Sequence, residues 1–121
     1  MSEFTFRSRL RSISYALAGV RVLLATQANA KIHLVASLCV VGLAAVTGLN
    51  GTEWALLIFA MAGVWSAEAM NTGFEFLCNV ASPEPHPLVR QAKDVAAAAV
   101  LLAAIAAMAV GLIVFLPHLA V

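Results

Sequence analysis

The stretch WALLIFAMAGVWSAEAMNTGFEFLCNV, residues 54–80, decides how this chain is read. It carries no charge from Trp54 through Ala67, too short a run to cross a bilayer by itself. It stays apolar to about Val80 only if Glu68 and Glu75 are admitted to its interior. Crossing the hydrocarbon core takes ~20 predominantly apolar residues, so the segment predicts a membrane span with two carboxylates inside it. Glu68, Asn71 and Glu75 stand at i, i+3 and i+7 and share one helix face. An ionised carboxylate in hydrocarbon costs several kcal/mol unless it is paired, solvated or bound to a cation. Two on one stripe therefore predict a polar cleft. Counted from Trp54 at one interface, Glu68 lies ~21 Å along at 1.5 Å per residue, with Glu75 near the opposite headgroups.

Outward from this segment the same pattern repeats. Val95 to Leu116 is uncharged and long enough to cross, and Leu34 to Asn50 gives another uncharged run, extended at its start by Ile32 and His33. The expected organisation is one all-α membrane domain over 1–121. It has a surface helix at about 4–30, spans at 32–49, 54–80 and 92–116, and a loop at 81–91. Composition agrees: of 121 residues, 63% are hydrophobic and 11% charged, and mean hydropathy is +0.97. Soluble domains carry ~25% charged residues. These values exclude a soluble enzyme and a disordered tail, and a net charge of +1 excludes a nucleic-acid binder. Cys39 and Cys78 sit in apolar runs and read as packing residues.

The seven cations fall in two groups, Arg7, Arg9, Arg11, Arg21 and Lys31 before the first span and Arg90 and Lys93 between the second and third. The positive-inside rule places the N-terminus and the 81–91 loop in the cytoplasm and the C-terminus outside. Phe6, Leu10, Ile13, Leu17, Val20 and Leu24 form a stripe of helical period beside Arg7, Arg11, Ser14 and Arg21. That is the pattern of a helix lying in the headgroup layer against membrane lipids. No cleavage-site pattern follows it, so the segment is expected to remain on the mature protein. Ser82-Pro83-Glu84-Pro85-His86-Pro87 alternates prolines and forbids helix within the loop, with helix resuming near Leu88.

Two carboxylates, an amide, Lys93 and Asp94 converging at one membrane face point to Mg²⁺ and phosphate chemistry. Mg²⁺ prefers oxygen ligands and commonly takes one or two carboxylates plus phosphate oxygens. A lysine balances phosphate charge, and a remaining carboxylate serves as base. No glycine-rich phosphate loop is present, so side chains would hold the nucleotide.

Residues 68–75, EAMNTGFE, and 86–100, HPLVRQAKDVAAAAV, resemble the signature of the prokaryotic diacylglycerol kinase and undecaprenol kinase family. The pattern is E-x-x-N-x-x-x-E, with K-D beginning 18 residues after its last glutamate. The likeness extends from about Phe6 to Leu116 and takes in Tyr15, Gly19, Arg21 and residues 29–33. The wording around 81–88 is nearer the undecaprenol kinase branch. The resemblance implies a homotrimer in the bacterial inner membrane, with active sites shared between neighbouring subunits. It implies Mg²⁺ as cofactor, ATP as co-substrate and a lipid alcohol, undecaprenol or diacylglycerol, arriving from the bilayer. By position, Glu68 is the implied general base and Glu75 a metal ligand. Tyr15, Glu75, Glu84, His86, Lys93 and Asp94 are the implied ATP contacts, and Asn71 and Arg9 organise the site or its substrate. Where the family carries a second metal-binding glutamate this chain has Gln27, which offers only a neutral carbonyl oxygen.

The remaining polar and aromatic residues read more plainly. His33, at the start of the first span, reads as interfacial, Trp54 as an interface anchor and Trp65 as packing. Ala99, Ala103, Ala107 and Gly111 form a small-residue stripe suited to close helix approach. Gln27 also keeps open a non-catalytic relative of the kinases. A small ion or proton carrier using Glu68 and Glu75 is disfavoured, because the first span offers only Ser37 and Thr47 and no polar path crosses.

Overall fold

A computed structural model describes residues 3–119, which form four helices and, among the described residues, no strand. Three of these helices are long and apolar enough to cross a membrane. Helix α1, Phe6–Thr26, begins on Thr5, whose hydroxyl accepts from the Ser8 amide at 3.0 Å while Ser8 Oγ accepts from the Thr5 amide at 3.1 Å. This reciprocal cap satisfies two of the donors that every helix start leaves open.

The segment expected as a single surface helix over 4–30 is divided. Gln27 takes extended dihedrals, φ −108° and ψ 119°, and is at once the last cap of α1 and the first of α2, Ala28–Thr47. Residues 28–31 thus belong to the first apolar helix. No glycine or proline lies between Gly19 and Gly42 to mark the break.

Helix α2 ends on Gly48, which adopts the left-handed conformation (φ 78°, ψ 51°) and returns its amide to the Ala44 carbonyl. Glycine is suited to this position because an L residue is strained at a positive φ even where the space around it is open. Three residues later α3, Gly51–Ala81, starts on Asn50, whose side chain accepts from the Glu53 amide while Glu53 accepts from the Asn50 amide. At 31 residues α3 is ~46 Å long at 1.5 Å per residue, well beyond a ~30 Å hydrocarbon core.

The loop expected over 81–91 is shorter, only residues 82–86, and α4, Pro87–Leu119, begins five residues before the expected 92. Pro83 and Pro85 keep the chain extended, but Pro87 occupies the first helical position. A missing amide costs nothing there, and the fixed φ favours the helix. The third proline starts a helix instead of preventing one.

Helix α3 packs chiefly on α4, with α2 and α1 resting on it more lightly. The core lies at the end carrying the 48–50 turn. There Ala44, Leu49, Leu57 and Val114 are buried, flanked by Val40, Trp54, Met61, Val110 and Phe115. His118 and Glu53 meet at 2.7 Å beside it, so the end of α4 is fastened to the start of α3. Elsewhere large apolar side chains face outward, among them Phe59, Val46 and Val80. In water this would be an aggregation surface, whereas in a bilayer it faces acyl chains or neighbouring helices.

Candidate active site

Among the described residues, the most buried large side chain is a carboxylate. Glu68 is 1% exposed, and its Oε2 has no hydrogen-bond partner. One turn along α3, Asn71 is half-buried with its Oδ1 likewise unpartnered. Both open on a cavity of about 300 Å³. Asn29 and His33 of α2 complete its polar wall, and Ala97, Val100, Leu101 and Ala104 of α4 form the apolar one. Helical period explains the arrangement, since residues 29 and 33 stand at i, i+4 and residues 68 and 71 at i, i+3, so each pair projects from one face.

The nearest basic group to the carboxylate is His33, whose Nε2 lies 3.6 Å from Glu68 Oε2. The imidazole meets the Trp65 ring edge-on, with centroids 6.3 Å apart at 65°. Trp65 Nε1 donates to Ser37 Oγ at 3.0 Å. Asn29, His33 and Ser37 therefore form a polar stripe on α2, at i, i+4 and i+8, against the Trp65–Glu68–Asn71 side of α3. Reading His33 as interfacial and Trp65 as packing missed this stripe. The signal was the four-residue spacing of polar residues at the start of an apolar helix.

A second cluster forms where α3 passes into α4. Asn79, Glu84, His86, Arg90 and Lys93 border an open cavity of about 810 Å³. Lys93 Nζ donates to Asn79 Oδ1 at 2.7 Å, joining the two helices across the loop. His86 Nδ1 accepts from the Leu88 amide at 3.1 Å and so helps cap α4. Asp94 pairs with Arg90 at 3.4 Å on an exposed face, a contact that contributes little to stability. Lys93 and Arg90 give this cavity the cationic rim that phosphate groups require.

Sequence reasoning named five residues that border neither cavity, Asp94 and four others. Glu75 is half-buried, two turns beyond Glu68 on α3. Tyr15 is exposed on α1, and Arg9 lies over the Phe4 ring at 5.4 Å. Gln27 sits at the α1–α2 break, where its Nε2 donates to Thr26 Oγ1 at 3.1 Å and its side chain makes no cap to α2. Among the described residues no three of His, Cys, Asp and Glu gather as a ready-made metal cluster. A magnesium ion bridged by phosphates needs no such cluster, and a single carboxylate with an amide oxygen is a donor set it accepts.

The family model for prokaryotic diacylglycerol kinase matches residues 14–115. The chain belongs to the prokaryotic diacylglycerol kinase family. An undecaprenol kinase from Bacillus subtilis is 31% identical over 109 residues, covering 90% of this chain and 89% of that protein. A diacylglycerol kinase from Synechocystis sp. is 40% identical over 111 residues, 91% of this chain but 63% of that longer protein. Membership places the chain among ATP-dependent lipid kinases. The matched region holds every candidate residue from Tyr15 to Asp94, and Arg9 falls outside it.

Proposed function

We propose that this chain transfers the γ-phosphoryl group of ATP to the hydroxyl of a lipid alcohol, undecaprenol or diacylglycerol. The reaction is direct and in line, at the cytoplasmic face of the bacterial inner membrane. The observation that carries the reading is Glu68, a sealed carboxylate with an unpartnered oxygen, opening on a cavity it shares with Asn71 and His33. A structural carboxylate would be expected to have its oxygens satisfied, because an orphaned buried acceptor costs ~1–3 kcal/mol. A base has reason to keep its carboxylate out of structural hydrogen bonds, so that one oxygen can be oriented and the other can meet a substrate hydroxyl.

In this mechanism Glu68 accepts the hydroxyl proton as the lipid oxygen attacks the γ-phosphorus. The bond from that phosphorus to the ADP oxygen breaks, and ADP leaves. Asn71 orients the acceptor. Lys93, Glu84 and His86 hold the nucleotide from the cationic cavity, Asp94 and Tyr15 contact it from outside that cavity, and Arg9 steers headgroups. Mg²⁺ would be held by Glu75 and the carbonyl oxygen of Gln27, and when bound it neutralises phosphate charge. Helix α1, with its apolar stripe and adjoining arginines, lies in the headgroup layer. A homotrimer with shared sites accounts for the many apolar side chains exposed on one chain and for the distribution of the nucleotide, metal and base residues over separate parts of it.

The test is ATP-dependent phosphorylation of undecaprenol and of diacylglycerol in mixed micelles. Glu68→Gln preserves shape and removes the base, so turnover should fall ~10²–10⁴-fold while helix content and melting temperature hold. Retention of more than about a tenth of wild-type turnover by Glu68→Gln would remove Glu68 from that role.

A further inference from the structure

Glu68 Oε2 is fully enclosed and lacks a hydrogen-bond partner, and among the described residues the basic group beside it is His33 Nε2, at 3.6 Å. That separation is a few tenths of an ångström beyond hydrogen-bond length, a gap closed by a small side-chain rotation. His33 is not free to wander. Its ring is held edge-on against Trp65, and Trp65 is itself anchored through its indole N–H to Ser37 Oγ on the helix that carries His33. The result is a chain of contacts, Ser37 to Trp65 to His33 to Glu68, alternating between α2 and α3. Its only terminus without a hydrogen-bond partner is the carboxylate oxygen.

From this arrangement we infer that His33 is a positioning residue for Glu68, donating from Nε2 to Oε2 and so presenting the carboxylate's other oxygen to the acceptor hydroxyl. The inference rests on Glu68 being the base. In a neutral imidazole one nitrogen is a donor, and the bond would make it Nε2. A carboxylate with one oxygen tethered has a single productive orientation in the cavity, whereas an untethered one samples several. Misplacing a reacting group by ~1 Å costs ~10²-fold in rate. The effect belongs to the chemical step and not to capture of ATP, since His33 borders the cavity of Glu68 and not the one bordered by Lys93.

Five proteins, purified in detergent and assayed with undecaprenol and Mg-ATP, test this: wild type, His33→Leu, His33→Gln, Glu68→Gln and the double variant His33→Leu with Glu68→Gln. His33→Leu should lower kcat ~10²-fold, with KM for ATP within about twofold of wild type. His33→Gln keeps an N–H donor at similar reach and should recover to within roughly tenfold of wild type. In the double variant His33→Leu with Glu68→Gln, turnover should equal that of Glu68→Gln alone, because a group acting through Glu68 has nothing left to act on. A His33→Leu enzyme with wild-type kcat, a His33→Gln enzyme as poor as His33→Leu, or additive losses in the double variant overturns the inference while leaving Glu68 as base. An active Glu68→Gln overturns the reading beneath it. Trp65 fluorescence in a Trp54→Phe background gives a readout independent of turnover. His33→Leu should change its emission through loss of the ring contact, and an unchanged spectrum counts against the chain of contacts.

Discussion

Replacing Gln27 by glutamate adds one negative charge without changing shape. The amide stands at the α1–α2 break, half-buried, and its one recorded bond is from Nε2 to Thr26 Oγ1 at 3.1 Å. Glutamate forfeits that donor. Thr26 keeps its own bond to the Val22 carbonyl at 2.7 Å, so the loss at this solvated site should stay within ~0.5 kcal/mol. The side chain makes no cap to α2, so the break itself should survive. The gain is electrostatic. A unit charge ~4 Å from a divalent cation is worth ~2 kcal/mol even at the dielectric constant of water, and more in a partly buried site. Attraction outweighs the lost hydrogen bond by roughly fourfold. If Gln27 is a weak magnesium ligand, half-saturating Mg²⁺ should therefore fall ~10–30-fold in Gln27→Glu. The assay is lipid phosphorylation against free Mg²⁺ at fixed ATP, with kcat read from the plateau. An unchanged Mg²⁺ midpoint would place Gln27 away from the metal. A sharp fall in plateau turnover would show that the neutral side chain suits this site better than a charged one.

Lys93→Met removes the ammonium group but keeps the stem. A hydrogen bond to a charged group is worth ~1.5–3 kcal/mol, so KM for ATP should rise at least tenfold while KM for the lipid stays put; equal KM values for ATP would take Lys93 out of nucleotide binding. Gly48→Ala strains a residue at φ 78° where an added Cβ would meet nothing within 4 Å, so the cost is purely conformational, ~1–2 kcal/mol. The melting temperature in detergent should drop by a few degrees with kinase turnover below the transition unchanged, and an unshifted melt would mean that the 48–50 turn rearranges freely.

Most of the fold was legible because hydrocarbon is a severe solvent. Runs such as Val95 to Leu116 have few alternatives to a spanning helix, since backbone groups in lipid must be satisfied internally. That Glu68 and Asn71 open on a cavity was legible for the same reason, as polar groups among apolar residues call for one, but Glu75 of the same stripe borders neither cavity. What escaped was local. Pro87 reads as a breaker until it stands at a first helical position, where the same ring is an asset. The break at Gln27 has no glycine or proline to announce it, and only its backbone dihedrals reveal it. His33 looked like an isolated polar residue near a helix end, where interfaces normally put one, and Asn29 drew no reading of its own. That they face Glu68 depends on the approach of α2 to α3, a tertiary fact which spacing alone hints at.

The two ends of this bundle are built to different standards, and the difference bears on catalysis. At the 48–50 turn the helices are joined by three residues, closed over Leu57 and Val114, and fastened by His118 to Glu53. Toward the 82–86 loop the described core gives way to Glu68, Asn71 and Thr72, each with a buried oxygen lacking a partner. Unpartnered polar atoms work against close packing, and in a bilayer there is little hydrophobic drive between helices to offset them. The closed packing lies at the turn end, while the α2 and α3 faces nearer the loop border the cavity instead. Such a scaffold leaves space beside Glu68, and that space is what the proposed role of Glu68 requires, room to admit an acceptor hydroxyl and to release the phosphorylated product.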